Sequence, residues 1–451
     1  MSVDRTAPPA SGPLRDFDFP AVTRHALETG LPVEVARIPH LPVATAFLML
    51  PAGEAVLQEK RAGQAVLAGD ALEGGTEDRS GVELAEALEG IGADLDVTTG
   101  WNATTVSLSC LADRFPEGLA LLGEMVLRPA FPQVEVERMR EQHLARIRQR
   151  EMDPGALAND HFARFVYADG EPYGRSLLGT PASVGDAGPD TLRGLSEGLY
   201  RPRGAGLVVA GDVEEREVLE VAERIFGEWT GAPPTQGDPA GEPRSRDRRI
   251  LVVDRPGAVQ SEIRIGHPGV PRAVRGYAAL VVANAVLGGV FSSRLNLNLR
   301  EKNGFTYGVR ARFAFRRGPG PFTIGTAVDT GVTADAVREA VREAERYVAD
   351  GPTAEEVASA RDFLAGVFPL QLESTRQVAG RVAELLIYGL PKDTWATYRE
   401  RIRSVDREAA LAAARTHIRP EEFQITVVGD AAAVVPALEA LDLGPVEVTT
   451  P

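Results

Sequence analysis

The chain has almost no cysteine. Among 451 residues there is one, Cys110, so no disulfide can close within the chain and no multi-cysteine zinc site can form. Cys110 lies in an apolar stretch and reads as core. Histidine is scarce as well: His25, His40, His143, His161, His267 and His417 are the full set, and none stands in a close pair at ligand spacing. Each reads as a surface or structural residue. No apolar run approaches the ~20 residues that a bilayer-spanning helix needs. The segment Met1–Pro20 holds Asp, Arg and four prolines without an apolar stretch, unlike a signal peptide. The expected location is the cytoplasm, with the periplasm left open. Positive charge is in the minority, with 49 Lys+Arg against 64 Asp+Glu and a net charge of −15. Such a surface repels nucleic acid phosphates and anionic lipid. It would attract a basic peptide, although a solvated acidic surface is the plainer reading. A phosphate-binding Gly-rich loop ending in Lys-Ser/Thr is also missing.

What is present is an ordinary globular composition, with 44% hydrophobic and 25% charged residues. The length suits two to four domains. Residues 231–248, rich in Pro, Gly and charge, read as a linker between halves at 15–230 and 249–446. The halves echo each other. Leu207-Val-Val-Ala-Gly-Asp212 closes the first and Ile425-Thr-Val-Val-Gly-Asp430 the second, 218 residues apart (430 − 212). Both read as a buried strand running into a Gly-Asp turn, which points to a duplication.

In the first half, Leu31–Val35, Val43–Leu50 and Ala103–Leu111 read as strands. Ala62–Leu72, Gly81–Ile91, Arg114–Arg128 and Gln133–Glu151 read as helices. In the second half, Arg249–Val253 and Ser261–His267 read as strands. Thr306–Phe313 and Phe322–Val328 read as a hairpin. Tyr277–Asn303 reads as one helix passing through Gly288-Gly289 and stopping before Gly304. Ala334–Ala349, Ala354–Leu372 and Arg376–Ile387 are helical by period. Strands come in pairs and helices in runs, so the fold class is α+β.

The stretch from Gly63 to Ser80, with Gly75-Thr76, Arg79-Ser80 and Glu83-Leu84, resembles the zinc helix region of the insulinase/pitrilysin/mitochondrial processing peptidase family. Gly92-Ala93 and Asn102-Ala103-Thr104 are similar to the turn and strand that follow. In that family H-x-x-E-H on a helix puts two imidazoles on one face to hold zinc, with the Glu as base to its water. The resemblance puts the first His at Val66, the Glu at Gly69 and the second His at Asp70. The third ligand, a Glu on a later helix, falls at Arg146. All four positions are changed, so no metal site is expected in this chain.

The second half is closer to the family pattern. Phe291 to Val309, with Ser293-Arg294-Leu295, Arg300-Glu301 and Gly304, resembles its non-zinc half. There an Arg near a helix end precedes a Tyr on the next strand by seven residues, here Arg300 and Tyr307. The resemblance implies that these two bind the substrate carbonyl region across from a zinc site. Guanidinium and phenol donors suit a developing oxyanion. Read alone, Arg300 merely suits a helix C-terminus and Tyr307 a packing role. Gly288-Gly289 resembles a short form of the glycine-rich loop of the non-catalytic processing-peptidase subunit, although a local helix break or close packing explains it better.

The resemblance implies two homologous α+β domains, each an antiparallel sheet packed by helices, and a clamshell of two chains around a peptide. Three roles follow. The first is the zinc-free partner subunit of a heterodimeric metallopeptidase, with zinc in a homologous partner chain, a peptide substrate, and Arg300 and Tyr307 contributed from here. The second is an inert scaffold of the same fold. The third is a peptide-binding homodimer. The chain alone is expected to be inactive.

Overall fold

The computed structural model describes residues 12, 15–232 and 237–451. Linker residues 233–236 and most of the first fourteen lie outside the described residues. The strands are β1 (Val22–Ala26), β2 (Pro32–Arg37), β3 (Val43–Leu50), β4 (Asp94–Thr99), β5 (Thr104–Leu111) and β6 (Gly206–Gly211) in the first half. The second half holds β7 (Arg249–Asp254), β8 (Gln260–Pro268), β9 (Val309–Phe313), β10 (Pro321–Asp329), β11 (Gln424–Gly429) and β12 (Val446–Thr449). They form two six-stranded sheets, ordered β1-β2-β6-β3-β5-β4 and β12-β7-β11-β8-β10-β9.

The two-domain α+β architecture is therefore present, with one difference from the expected all-antiparallel sheets. β2 pairs with β6, β7 with β11, and β12 with β7 in parallel, so both sheets are mixed. A parallel pair needs a long crossover, and here each crossover is most of a domain. The echoing hexapeptides are β6 and β11, equivalent central strands buried along their whole length. A strand buried on both faces reads as an unbroken apolar run, which is why these two stood out in the sequence.

The burial of the second face has a specific source. The helix Pro154–Val166 belongs to the first half but packs on β11 and β8 of the second, where Leu157 and Ala158 meet Val253 and Val428. The helix Thr375–Tyr388 belongs to the second half but packs on β3 and β6 of the first. Its Val378, Ala379, Val382 and Ala383 meet Ala36, Met49, Val208 and Ala210. Each half thus covers the other's sheet. A buried aliphatic side chain contributes roughly 1.5–3 kcal/mol. The partly exposed pair Arg376–Asp94 at the same junction contributes at most about 1 kcal/mol. Apolar exchange, not charge, holds the halves together.

Each exchanged helix covers the middle of a sheet and leaves much of its last two strands bare on that face, although Arg376 reaches Ser107 on β5 and Asp94 on β4. On the first sheet these two strands are β5 and β4; on the second, β10 and β9. No helix among the described residues is long and apolar enough to cross a membrane.

The expected Tyr277–Asn303 helix is broken. An α-helix runs from Tyr277 to Asn284, widens to a π-turn at Ala285–Gly289, stops, and resumes as a π-turn at Asn296–Lys302. The cause is local crowding. A Cβ on Gly288 would lie 2.6 Å from Ala311 Cβ and 2.8 Å from Ala311 N. Gly288 is therefore a close contact of the helix on β9, while Gly289 lies against Asn284 of its own helix.

Candidate functional site

The Gln64–Asp70 helix begins at Gly63, in the left-handed region at φ 84° with no side-chain cap of its own. Glu54 takes that role from outside. Its carboxylate accepts the N–H groups of Gly63 at 2.5 Å and Ala65 at 3.2 Å, satisfying donors that a helix start leaves orphaned. Glu54 is fully buried, and burial pushes its carboxyl up to about 7 despite those bonds and Arg175 at 4.0 Å. The helix places Val66, Gly69 and Asp70 beside β4 and the long helix Gln133–Met152.

Val66 is buried and offers no donor atom. Gly69 has no room for a side chain: a Cβ there would overlap Thr99 Oγ1 and sit 3.5 Å from Val97 Cγ1 and Thr104 Cγ2. The Thr99 hydroxyl is held there by Thr104 Oγ1 at 2.8 Å, and Thr104 Oγ1 in turn donates to Ala52 O at 2.9 Å. Asp70 and Arg146 form an ion pair with each other. Arg146 Nη2 also donates to His143 Nδ1 at 3.2 Å. That makes Nδ1 the acceptor, so Nε2–H donates to Leu178 O at 2.8 Å. Burial above all holds the His143 pKa below its usual range, with Arg146 adding to it, and the ring is neutral.

These residues do not fit a zinc ion. Two of the four positions lack a donor, one is cationic, and the remaining carboxylate is already engaged. Among the described residues no group of three His, Cys, Asp or Glu is placed to hold a metal. The Arg146 guanidinium pairs with Asp70, the one carboxylate among these four residues.

Arg300 lies in the second π-turn, its guanidinium 4.3 Å from the Phe291 ring centroid and its Nε 3.5 Å from Glu301. Tyr307 is not on a strand, as expected from the sequence, but in the bend before β9, and it is 98% exposed. β9 starts two residues later because Asn296 closes its edge there. Asn296 Nδ2 donates to Val309 O at 2.9 Å, and Val309 N–H donates to Asn296 Oδ1 at 3.1 Å. Asn284 Nδ2 likewise donates to Ala311 O at 3.0 Å. Two side-chain amides thus replace a neighbouring strand along β9. β4, the equivalent last strand of the first sheet, has no strand on its outer side among the described residues.

Sequence reasoning missed β4, although Asp-Leu-Asp-Val-Thr alternates with period 2 and its burial does likewise. It therefore missed Thr99, whose hydroxyl fills the space that a side chain at position 69 would take. No sequence signal announces Asn296 as an edge cap.

Residues 33–181 match the family model described as Insulinase (Peptidase family M16), and residues 188–364 match the one described as Peptidase M16 inactive domain. A protein named uncharacterized zinc protease from Streptomyces coelicolor is 26% identical over 318 residues, 69% of this chain and 68% of that one. The non-peptidase homolog YmxG of Helicobacter pylori is 25% identical over 396 residues, 86% of this chain and 90% of its own. The solved peptidase M16 inactive domain from Pseudomonas fluorescens superimposes with a TM-score of 0.85 at 24% identity, covering 91% of this chain and 98% of that one.

Proposed function

We propose, from the premise that this chain belongs to the insulinase (M16) peptidase family, that it is the non-catalytic half of a two-chain peptidase. A homologous partner chain carries the zinc and its H-x-x-E-H helix. This chain contributes Arg300, Tyr307 and half of the chamber around a peptide substrate. The observation that carries the reading is the Asp70–Arg146 ion pair at two lost ligand positions, with Gly69 sealed by Thr99 beside it. A site merely lacking metal would keep its donors. This one has been rebuilt as a stable polar contact, while Tyr307 stays outside the core with no packing duty.

The free outer side of β4 offers unpaired backbone groups to an extended peptide, which would add as a seventh strand. A scaffold role is the second reading, favoured by the stacking of Arg300 on Phe291, which gives that arginine a structural use.

The test is peptide hydrolysis by the zinc-bearing homologue from the same organism. Wild-type chain, or the Arg300→Ala/Tyr307→Phe variant, is added to it. Cleavage restored by the wild type and not by the variant supports the peptidase half. Equal cleavage with and without this chain defeats it and leaves the scaffold.

A further inference from the structure

The loop between β9 and β10 meets the turn between β4 and β5. The Arg316 guanidinium lies 4.5 Å from the Trp101 ring centroid and 4.4 Å from that of Tyr173. Arg317 N–H donates to Asn102 Oδ1 at 3.1 Å. Arg316 has no carboxylate partner among the described residues, and its Nη1 is buried without a hydrogen bond. Arg312 is its neighbour on one side, and Arg310 and Arg264 are the neighbours of Arg312. Of these four, only Arg264 is paired, with Glu262 at 2.9 Å.

Of these, Arg310 and Arg312 lie on β9, in the bare part of the second sheet; Arg264 is on β8 beside the Pro154–Val166 helix, where it donates to Asn159 Oδ1, and Arg316 is in the loop beyond β9. Gly325 on β10 pairs across with Arg264 on β8 and with Arg310 on β9, and Thr323 pairs with Arg312. Gly325 has no side chain, and the Arg264 stem lies against it, its Cδ 3.5 Å from where a Cβ would be, on the wall of a concavity of about 280 Å³ that Arg310 and Arg312 also line. Clustered like charges repel. In a chain of net charge −15 with 64 Asp+Glu, three neighbouring guanidiniums, those of Arg310, Arg312 and Arg316, without a carboxylate partner among the described residues call for a reason. Charged residues often guard a bare sheet edge. Here the β9 edge is already closed by Asn296 and Asn284, so that reason is absent. On the first sheet the equivalent strand β4 carries the opposite sign, with exposed Asp94 and Asp96.

We infer that this arginine face binds the carboxylates of an acidic peptide segment, the part of a bound peptide that runs past the Trp101 end of β4. The inference rests on the peptide-binding reading above and names its substrate class. The ligand is a polypeptide, because the loop that follows Arg310 and Arg312 meets the β4–β5 turn at Trp101 and Asn102, next to the end of the free edge of β4, and only a backbone completes such an edge. Successive β-strand side chains on one face are roughly 6.6 Å apart, so Arg310 and Arg312 match alternate residues of an extended Glu-x-Glu segment.

The probes are three fluorescein-labelled peptides with one common apolar half and a second half of Glu-Thr, Gln-Thr or Lys-Thr repeats. Anisotropy is read at low and high salt with wild type and with Arg310→Gln/Arg312→Gln. The Glu peptide is expected to bind wild type about tenfold tighter than the Gln peptide at low salt. That advantage shrinks at high salt and disappears in the variant, whose affinity for the Gln peptide is unchanged. Equal binding of Glu and Gln peptides by wild type overturns the inference and leaves peptide binding standing. So does a Glu advantage that survives in the variant. If inorganic polyphosphate binds the face while the Glu peptide does not, the inference is also wrong. If none of the three peptides binds wild type, the peptide-binding reading falls first and takes the inference with it.

Discussion

Asp70 and Arg146, 76 residues apart in the chain, are bonded to each other. The pair joins the Gln64–Asp70 helix to the Gln133–Met152 helix. Both side chains are partly exposed, so the pair is worth about 1 kcal/mol or less. Arg146→Ala is expected to lower the melting temperature by only a few degrees at most, as read by circular dichroism. A drop large enough to unfold the chain at 37 °C would mean that the pair is a structural keystone.

Restoring ligands does not restore the site. The variant Val66→His/Gly69→Glu/Asp70→His/Arg146→Glu places a glutamate where Thr99 stands. Elemental analysis after dialysis is expected to find well under one zinc per chain. Adding Thr99→Ala to the set should raise the zinc content. Full occupancy without the change at Thr99 would contradict the packing argument.

Gly69→Ala tests the same contact with one methyl. Overpacking of this kind costs about 1–3 kcal/mol, seen as a lower urea midpoint. Gly69→Ala/Thr99→Ala should recover part of the loss, and the double-mutant cycle gives the coupling. Purely additive effects would place the strain elsewhere.

How much of this was legible beforehand follows from where the signals are local. The β6 and β11 hexapeptides announced themselves because strands buried on both faces are apolar throughout. Val66, Gly69 and Asp70 were assigned from the Gly75-Thr76 and Arg79-Ser80 frame, and Arg146 from the end of its helix, all by resemblance alone. The bonding of Asp70 to Arg146 could not be read, since nothing within seven residues of Asp70 mentions Arg146. The broken helix after Asn284 was hidden for the same reason. Its cause is Ala311, a residue on another element, and helical propensity is indifferent to it. The exchange of Pro154–Val166 and Thr375–Tyr388 is likewise a tertiary fact, with no mark in their amphipathic patterns.

Asn296→Ala removes both bonds to Val309 and leaves its backbone groups unpaired. A loss of about 1–3 kcal/mol is expected, with faster hydrogen exchange across Val309–Phe313. The opened edge should also promote association, visible as a concentration-dependent mass in sedimentation. Unchanged exchange at Val309 would show that the cap is redundant.

Tyr307→Ala should leave the melting temperature within error, since the side chain touches little. Any loss of activity in the reconstituted peptidase is then a loss of contact with substrate or partner. A strong destabilisation would refute the exposed placement.

Glu54 makes stability depend on pH. Its folded pKa, about 7, lies above its ordinary value of 4.5. The stability it contributes is therefore complete below pH 4.5 and is lost as pH rises through 7, on the order of 3 kcal/mol in all. The amides of Gly63 and Ala65 should exchange faster, after correction for intrinsic rate, at pH 8 than at pH 6. Glu54→Gln should flatten that difference. The opposite slope would mean that the hydrogen bonds outweigh burial and the carboxyl is ionised throughout.

The two crossed helices also decide what the linker is for. Each half lends its partner the cover for a sheet, so neither half is a closed object. Cutting the chain between residues 232 and 237 should give two bands on a denaturing gel and a single peak on a sizing column. Either half expressed alone would present a bare apolar sheet face and come out of the cell as aggregate. The linker sets when the halves meet during synthesis; it does not keep them together afterwards.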